Sequence, residues 1–161
     1  MNRTRRLVLS ALLAALTCVM TMVIKVPSPL QGYLNLGDGA VLLCGWVLSP
    51  VYGFLAAGIG SALADMLSGY MVYIPATFLI KGLMALIVYW GMKLPWKKTA
   101  KVIAGIVAEI VMVLGYFVFE GFLYGFAESA VNIPANAVQG VAGLIIGLAL
   151  SKLFKRTNLF T

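Results

Sequence analysis

Two charged residues occur within a segment that is otherwise apolar enough for a lipid interior. The segment, residues 60–82, contains an acid, Asp65, and a base, Lys81. An ionised group in hydrocarbon is costly, so charges in such segments tend to mark functional sites. Glycine and proline between them, in residues 68–75, predict a turn that joins two hydrophobic helices. These charges are therefore the first candidates for chemistry.

Residue patterns for several other kinds of chemistry do not occur in the sequence. It contains no histidine, and its two cysteines, Cys18 and Cys44, form no CxxC pair. The usual zinc-ligand spacings and most nucleophile–histidine pairs are thereby excluded, and no metal or cofactor is predicted. There is no GxxxxGK[ST] phosphate loop either. We therefore expect a protein that is not an enzyme and has no ATPase site of its own.

The elements that carry the two charges are hydrophobic helices. Of 161 residues, 62% are hydrophobic and 11% are charged, whereas a soluble domain has roughly 25% charged residues. Apolar segments of about 20 residues recur, as in an all-α integral membrane protein. The sequence predicts a single six-helix membrane domain over residues 1–161, with helices at 6–24, 36–48, 51–67, 75–93, 102–124 and 131–153.

The basic residues predict the orientation of this bundle. Most of the 12 Lys and Arg residues lie near the N-terminus, between the fourth and fifth helices, or near the C-terminus. Cytoplasmic loops collect Lys and Arg, so both termini are predicted to lie inside. Because these clusters flank hydrophobic helices, we interpret them as topology signals and not as a nucleic-acid surface. The second helix, with about 13 residues, is too short to cross a bilayer unaided.

Polar side chains of the last three predicted helices fall at a similar depth. At a rise of about 1.5 Å per residue, Lys81 lies roughly 9 Å and Glu120 roughly 6 Å inside their helices. Helical spacing puts Thr77 on the face of Lys81. Hydrogen-bonding and aromatic groups at one level predict a pocket for a small, planar, polar molecule. The candidate lining residues are Tyr70, Tyr73, Thr77, Lys81, Tyr116, Glu120, Asn136 and Gln139.

Alternatives to this pocket remain open from the residues alone. The loop after the first helix, residues 25–38, is placed to cover the pocket. Instead of binding a ligand, Lys81 could form a structural ion pair with Glu120 or Asp65. Glu109, which lies deeper, and Asp65 are candidate structural or coupling charges. A stand-alone ion-coupled carrier, with Glu109 or Glu120 as its proton site, and a non-transporting membrane subunit are therefore the alternative functions.

Short motifs along nearly the whole chain resemble those of the substrate-binding (S) components of energy-coupling factor (ECF) vitamin transporters. The most similar group is the riboflavin-type family, which includes proteins for thiamine-precursor and pyridoxine uptake. The matching stretches are Asn35-Leu36-Gly37-Asp38, Gly60 through Asp65 to Gly69-Tyr70, Pro75-Ala76-Thr77 through Lys81-Gly82, Gly115-Tyr116 with Glu120, and Asn136 with Gln139.

The resemblance implies a subunit that captures a water-soluble vitamin or precursor on the outer side, of the riboflavin, hydroxymethylpyrimidine or pyridoxine class. In such proteins helices 4 to 6 and the loop after helix 1 hold the ligand, which adds Asn35 and Asp38 to the candidate contacts. Lys81 and Glu120 would orient its polar groups, and the tyrosines would stack on its ring.

The resemblance also implies partners and a location. Members of the family associate with a transmembrane coupling protein and two cytoplasmic ATPases in a prokaryotic plasma membrane. An AxxxA motif on the first helix contacts the coupling protein, which carries over to Ala11 and Ala15. Read from the residues alone, the same small side chains would simply pack helices inside the bundle.

Overall fold

A computed structural model describes residues 3–28, 32–95 and 97–156. These residues form seven α-helices and one short two-stranded sheet. In chain order the elements are α1 (Arg3–Val23), β1 (Lys25–Pro27), β2 (Tyr33–Asn35), α2 (Asp38–Val47), α3 (Pro50–Leu67), α4 (Ile74–Gly91), α5 (Lys97–Tyr124), α6 (Phe126–Ala130) and α7 (Ile133–Arg156). Each of the six predicted helices is therefore present, as α1 to α5 and α7.

Long apolar helices dominate the bundle, which confirms a mostly helical membrane protein. Within the described ranges, five helical segments are long and apolar enough to cross a membrane: Arg3–Val23, Pro50–Leu67, Met71–Gly91, Thr99–Tyr124 and Ile133–Lys155. The second helix, α2, is apolar but has only 10 residues. Six membrane spans with both termini inside stay a prediction.

The short helix α2 lies in the middle of the bundle, where it contacts α3, α4 and α7. Its residues from Asp38 to Gly45 are all buried. Close approach depends on glycine, since a Cβ on Gly39 would lie 2.7 Å from Ile146 of α7 and one on Gly45 would lie 2.9 Å from Val88 of α4. Such small residues let helix backbones touch in a membrane bundle. Protein therefore surrounds α2. For this reason the helix does not have to be long enough to cross a bilayer.

The loop after α1 contains a β-hairpin that the sequence did not predict. Strands β1 and β2 are antiparallel, with Lys25 opposite Asn35 and Pro27 opposite Tyr33. Residues 29–31 of the predicted covering loop lie outside the described residues. Asp38 lies inside the predicted second helix, although the predicted covering loop was also drawn as far as this residue. In the structure it begins α2 and is fully buried.

The start of the fifth helix differs from the prediction, and an unpredicted short helix follows its end. The fifth helix begins at Lys97 instead of residue 102, because lysine is a good helix former even where it ends the apolar run. At the other end of α5, Gly125 has a φ of +106°, which only glycine adopts without strain. The chain turns there and forms the short helix α6 before α7 begins.

Candidate ligand-binding site

A cavity lies at the end of the bundle that meets the β-hairpin. We call this end of the bundle the hairpin end. The cavity's lining residues are Ser28, Gly32, Tyr33, Asn35, Asp65, Tyr70, Tyr73, Thr77, Tyr116, Glu120, Asn136 and Gln139. Its volume is about 30 Å³, which is room for one or two water molecules. A vitamin-sized ligand needs roughly 300 Å³ or more, so side chains of the lining must move when such a ligand enters.

One acid of the lining, Asp65, comes from the last turn of α3 and is 5% exposed. The hydroxyl of Tyr33 in β2 donates to its Oδ1 at 2.7 Å. The other carboxylate oxygen, Oδ2, has no hydrogen-bond partner among the described residues. Burial and the neighbouring Asp65 raise the pKa of the Tyr33 hydroxyl, which therefore stays protonated and continues to donate. A buried acceptor is thus left open beside the cavity.

The second acid, Glu120 of α5, is fully engaged by the protein. The hydroxyl of Tyr73 donates to its Oε1 at 3.2 Å, and the amide of Asn132 donates to its Oε2 at 2.9 Å. Only 2% of the side chain is exposed. The contrast with Asp65 is direct, because both oxygens of Glu120 accept a hydrogen bond, whereas only Oδ1 of Asp65 does, with the Thr77 hydroxyl close to the same carboxylate.

Aromatic rings form a continuous wall between the two acids. The ring centroids of Tyr33 and Tyr70 are 4.6 Å apart, those of Tyr70 and Tyr73 are 6.3 Å apart, and those of Tyr73 and Tyr116 are 6.4 Å apart. The Tyr116 hydroxyl and Thr77 Oγ1 share a hydrogen bond of 3.0 Å. Tyrosines at these spacings offer ring faces to a planar ligand and hydroxyls to its edge.

Lys81 does not lie in this lining. Its ammonium group forms a buried ion pair with Asp38 at the start of α2 and lies 5.4 Å from the ring centroid of Tyr116. The predicted ion-pair partners of Lys81, Glu120 and Asp65, were therefore wrong. Asp38 was missed as the partner because sequence spacing relates residues on one helix, whereas this pair joins α2 to α4.

A chain of hydrogen bonds links this ion pair to the lining. The amide of Gln139 donates to Asp38 Oδ2 at 2.7 Å, and its Oε1 accepts from the backbone N–H of Asn35 at 2.9 Å. Asn35 Oδ1 in turn accepts from the N–H of Gly37 at 2.9 Å. The ion pair thus orients Gln139, and Gln139 anchors the end of β2.

The structure brings together most of the predicted contacts. All of them except Lys81 and Asp38 line the cavity, and Asp65 joins them. Ser28, Gly32 and Tyr33 were not predicted. Tyr33 could not be found without knowledge of β2. Once that strand is known, Tyr33 points the same way as Asn35, because residues two apart in a strand share a face.

Glu109, a predicted structural or coupling charge, lies outside the cavity. It is 6% exposed, and neither carboxylate oxygen has a hydrogen-bond partner among the described residues. The side chain packs against the glycine face of α7, where a Cβ on Gly143 would lie 3.0 Å from Oε1. Asp38 contacts the same position, since that Cβ would lie 2.6 Å from its own Cβ. Two acids therefore meet at Gly143.

The predicted interface residues Ala11 and Ala15 are exposed on α1. They lie in an apolar groove between α1 and α3, with Leu55 and Ile59 on its other side.

In residues 3–28, 32–95 and 97–156, no three or more His, Cys, Asp or Glu side chains lie close enough together to hold a metal ion.

Comparison with known proteins finds relatives over nearly the whole chain. The family model for the ECF-type riboflavin transporter, S component, matches residues 1–156. A protein of Pyrococcus woesei described as "Uncharacterized protein in gap 3'region" is 37% identical over 139 residues, covering 86% of this chain and 93% of that protein. The thiamine precursor transporter HmpT of Lactococcus lactis subsp. cremoris (strain MG1363) is 25% identical over 158 residues, covering 96% of this chain and 90% of that protein.

A solved structure shares the fold. It is described as the structure and mechanism of the S component of a bacterial ECF transporter, and it matches with a TM-score of 0.79. The match covers 97% of this chain and 98% of the solved chain at 24% sequence identity.

Proposed function

The chain belongs to the family of S components of ECF-type riboflavin transporters, and we propose that it captures a small, planar, amine-bearing vitamin precursor for import. The observation that carries this proposal is the open acceptor of Asp65. A buried polar atom without a partner is costly, and a ligand N–H would satisfy Oδ2.

The charge of the lining supports a donor-rich ligand. Asp65 and Glu120 both line the cavity, and no Lys or Arg is among the described lining residues. A phosphorylated or carboxylate ligand would place its charge beside two acids, which disfavours it. A protonated or amine-bearing ring is favoured twice, by the acids and by the tyrosine faces, which attract cations.

The size of the cavity and the name of one relative narrow the class of ligand. The cavity is small, so a single-ring compound requires less rearrangement than a three-ring flavin. HmpT is named a thiamine precursor transporter. We therefore favour a thiamine-precursor-type pyrimidine with an amino group over riboflavin, with pyridoxine-type compounds as the next class.

Each remaining predicted contact has a place in this proposal. The aromatic wall of Tyr70, Tyr73 and Tyr116 stacks on the ring, and Asn136 with Gln139 reads its polar edge. Lys81 acts on the ligand indirectly, because its ion pair with Asp38 orients Gln139. In this proposal Lys81 is a positioning residue.

Energy and delivery come from partners in this proposal. The exposed Ala11 and Ala15 let the transmembrane coupling protein approach α1 closely, and two cytoplasmic ATPases drive the cycle. The protein would lie in a prokaryotic plasma membrane with six spans and both termini inside.

Calorimetric titration of the purified protein tests the proposal. An aminopyrimidine should bind more tightly than riboflavin or a phosphorylated pyrimidine. Asp65→Asn, which keeps the shape but removes the charge, should weaken binding about 10-fold or more, as expected for loss of a charge-assisted hydrogen bond. Glu128→Gln is the matched control, because Glu128 is exposed and outside the lining. The proposal would be contradicted if Asp65→Asn bound the aminopyrimidine as tightly as the wild type does, or if the wild type preferred the phosphorylated compound.

A stand-alone proton-coupled carrier is the second candidate, and it rests on Glu109, whose carboxylate oxygens have no partner among the described residues. Uptake of the ligand into proteoliposomes by this chain alone, driven by a pH gradient and lost in Glu109→Gln, would favour the carrier. Uptake only when the coupling protein and ATPases are present would favour the capture subunit.

A further inference from the structure

A second cavity lies at the opposite end of the bundle, which we call the basic end. This end contains Arg6 of α1, the connection from α4 to α5, and the last turns of α7. The cavity has a volume of about 180 Å³. Side chains from the ends of α2, α5 and α7 form most of its wall, namely Trp46, Val47, Lys101, Ser151, Phe154 and Lys155.

Lys101 is held inward at this cavity. Its ammonium group donates to the Ser151 hydroxyl and lies 4.2 Å from the ring centroid of Trp46. Lysines near the ends of membrane helices usually extend toward water, yet Lys101 is only partly exposed. Lys155 of α7 is close enough for its charge to act on Lys101. Two ammonium groups therefore converge on one space.

Among the described residues, neither ammonium group has an Asp or Glu partner. The chain contains 5 Asp and Glu residues, and none of them is in the wall of this cavity. They lie instead in the ligand cavity, in the Lys81 pair, beside Gly143 and in α6, as Asp65, Glu120, Asp38, Glu109 and Glu128. The cavity therefore gathers positive charge without an Asp or Glu side chain in its described wall to balance it.

A further donor lies in the same wall. The indole N–H of Trp46 is buried and has no hydrogen-bond partner among the described residues. Ammonium and indole groups donate and do not accept. Oxyanions supply acceptors and negative charge together, so the chemistry of the wall fits an oxyanion such as a phosphate.

We propose that this cavity binds the phosphate of an anionic phospholipid headgroup, with Lys101 and Lys155 as its charged contacts. Its position at the helix ends of a membrane protein puts it at headgroup depth. Basic cavities between transmembrane helices are typical sites for such headgroups. The apolar side chains of Val47 and Met92 in the same wall offer a surface for the first part of the acyl chains. The site is independent of the ligand cavity at the hairpin end.

Native mass spectrometry of the purified full-length chain tests this site. Dioleoyl-phosphatidylglycerol and dioleoyl-phosphatidylcholine are added separately in detergent, and bound lipids are counted at increasing concentration. Phosphatidylglycerol should bind selectively. Lys101→Gln and Lys155→Gln should each weaken it about 5-fold, and the double variant roughly 25-fold, as expected for one lysine contact each.

Lys152→Gln is the matched control, because it removes the same charge from the same helix at an exposed position outside this wall. It should weaken binding much less than either single variant. A second control is the thermal midpoint, which should be unchanged in every variant, so that loss of lipid is not loss of fold.

Three results would overturn the proposal. One is equal binding of the two lipids, and another is equal weakening by Lys152→Gln and the double variant. The third comes from adding millimolar inorganic phosphate, which should leave the lipid bound. If phosphate instead binds with the same lysine dependence and displaces the lipid, the site serves a free oxyanion.

Discussion

The two ends of the bundle deal with buried polar groups in opposite ways. At the hairpin end, carboxylates are surrounded by donors of the protein itself, such as Tyr73 and Asn132 around Glu120. At the basic end, Lys101 and Lys155 share a cavity with no Asp or Glu side chain in its described wall. The first end is organised by internal hydrogen bonds and leaves one acceptor open. The second end leaves positive charge open.

The difference teaches what each end can bind. A site whose polar groups are already held in place is preorganised, and it selects a ligand by the few groups left open. A site with uncompensated charge attracts any anion that can reach it, and its selectivity depends on position in the membrane. The hairpin end therefore suits recognition of a particular molecule, and the basic end suits attachment to a lipid leaflet.

The largest expected effect comes from breaking the buried ion pair beneath the ligand cavity. Lys81→Met leaves Asp38 charged, fully buried and without its ammonium partner, which should destabilise the protein by about 3–5 kcal/mol. Lys25→Met is the control, because Lys25 is exposed. Adding Asp38→Asn to Lys81→Met should recover part of the loss. Thermal unfolding in detergent measures each step, and equal midpoints for the two single lysine variants would contradict the role of the pair.

A smaller effect is expected from Tyr33→Phe, which removes the donor to Oδ1 of Asp65. The cost should be about 1–3 kcal/mol, the penalty for leaving a buried acceptor unsatisfied. Val26→Ala, an exposed position in the same hairpin, is the control. A loss no larger than that of the control would show that Asp65 does not depend on Tyr33.

The raised pKa of Tyr33 also predicts a pH dependence. The folded state keeps the Tyr33 proton longer than the unfolded state does, whose tyrosine pKa is about 10. The stability that this proton contributes is complete below pH about 10 and falls as the pH rises above that value. The free energies of unfolding of wild type and Tyr33→Phe should therefore converge in alkaline buffer. A constant difference across that range would contradict the prediction.

The comparison of two carboxylates on the same helix gives a finer test. Glu120→Gln disturbs two donated hydrogen bonds and should cost about 1–3 kcal/mol. Glu109→Gln disturbs none that the structure shows and should be nearly neutral. Each residue is the other's control, since both lie in α5 and both changes remove one charge. A larger loss at Glu109 than at Glu120 would contradict this ranking.

The smallest effect on the isolated protein is expected at Ala11. Because Ala11 is exposed, Ala11→Leu should leave the thermal midpoint and ligand affinity unchanged. Co-purification with the coupling protein should nevertheless be lost, since a larger side chain keeps the helices apart. Val8→Leu, also exposed on α1, should co-purify normally. Normal co-purification of Ala11→Leu would remove α1 from the proposed interface.

Much of the fold could be predicted, because a bilayer leaves few choices. Apolar runs of bilayer length must be helices, since no other open structure satisfies its own backbone there. The hairpin after α1 could not be predicted, because its strands have three residues each and contain Pro27 and Lys25. The early start of α5 was missed because hydropathy detects the end of an apolar run and not the end of a helix.

The candidate site shows the same division at the level of side chains. Thr77, Tyr116, Glu120 and Asn136 were predicted to share a level and do line one cavity. Lys81 was placed at that level too, yet it faces α2 instead. Depth follows from counting residues along a helix, whereas the direction of a side chain also depends on which helix packs against it.

By itself, the sequence determined that this protein is a helical membrane bundle with charges inside it, because apolar length and the cost of buried charge are local properties. Only the tertiary structure decided which charges meet. It paired Lys81 with Asp38, left an oxygen of Asp65 open beside the tyrosines, and brought Lys101 near Lys155. Contacts of this kind join residues far apart in the chain, and packing of α2 between α4 and α7 creates the first of them.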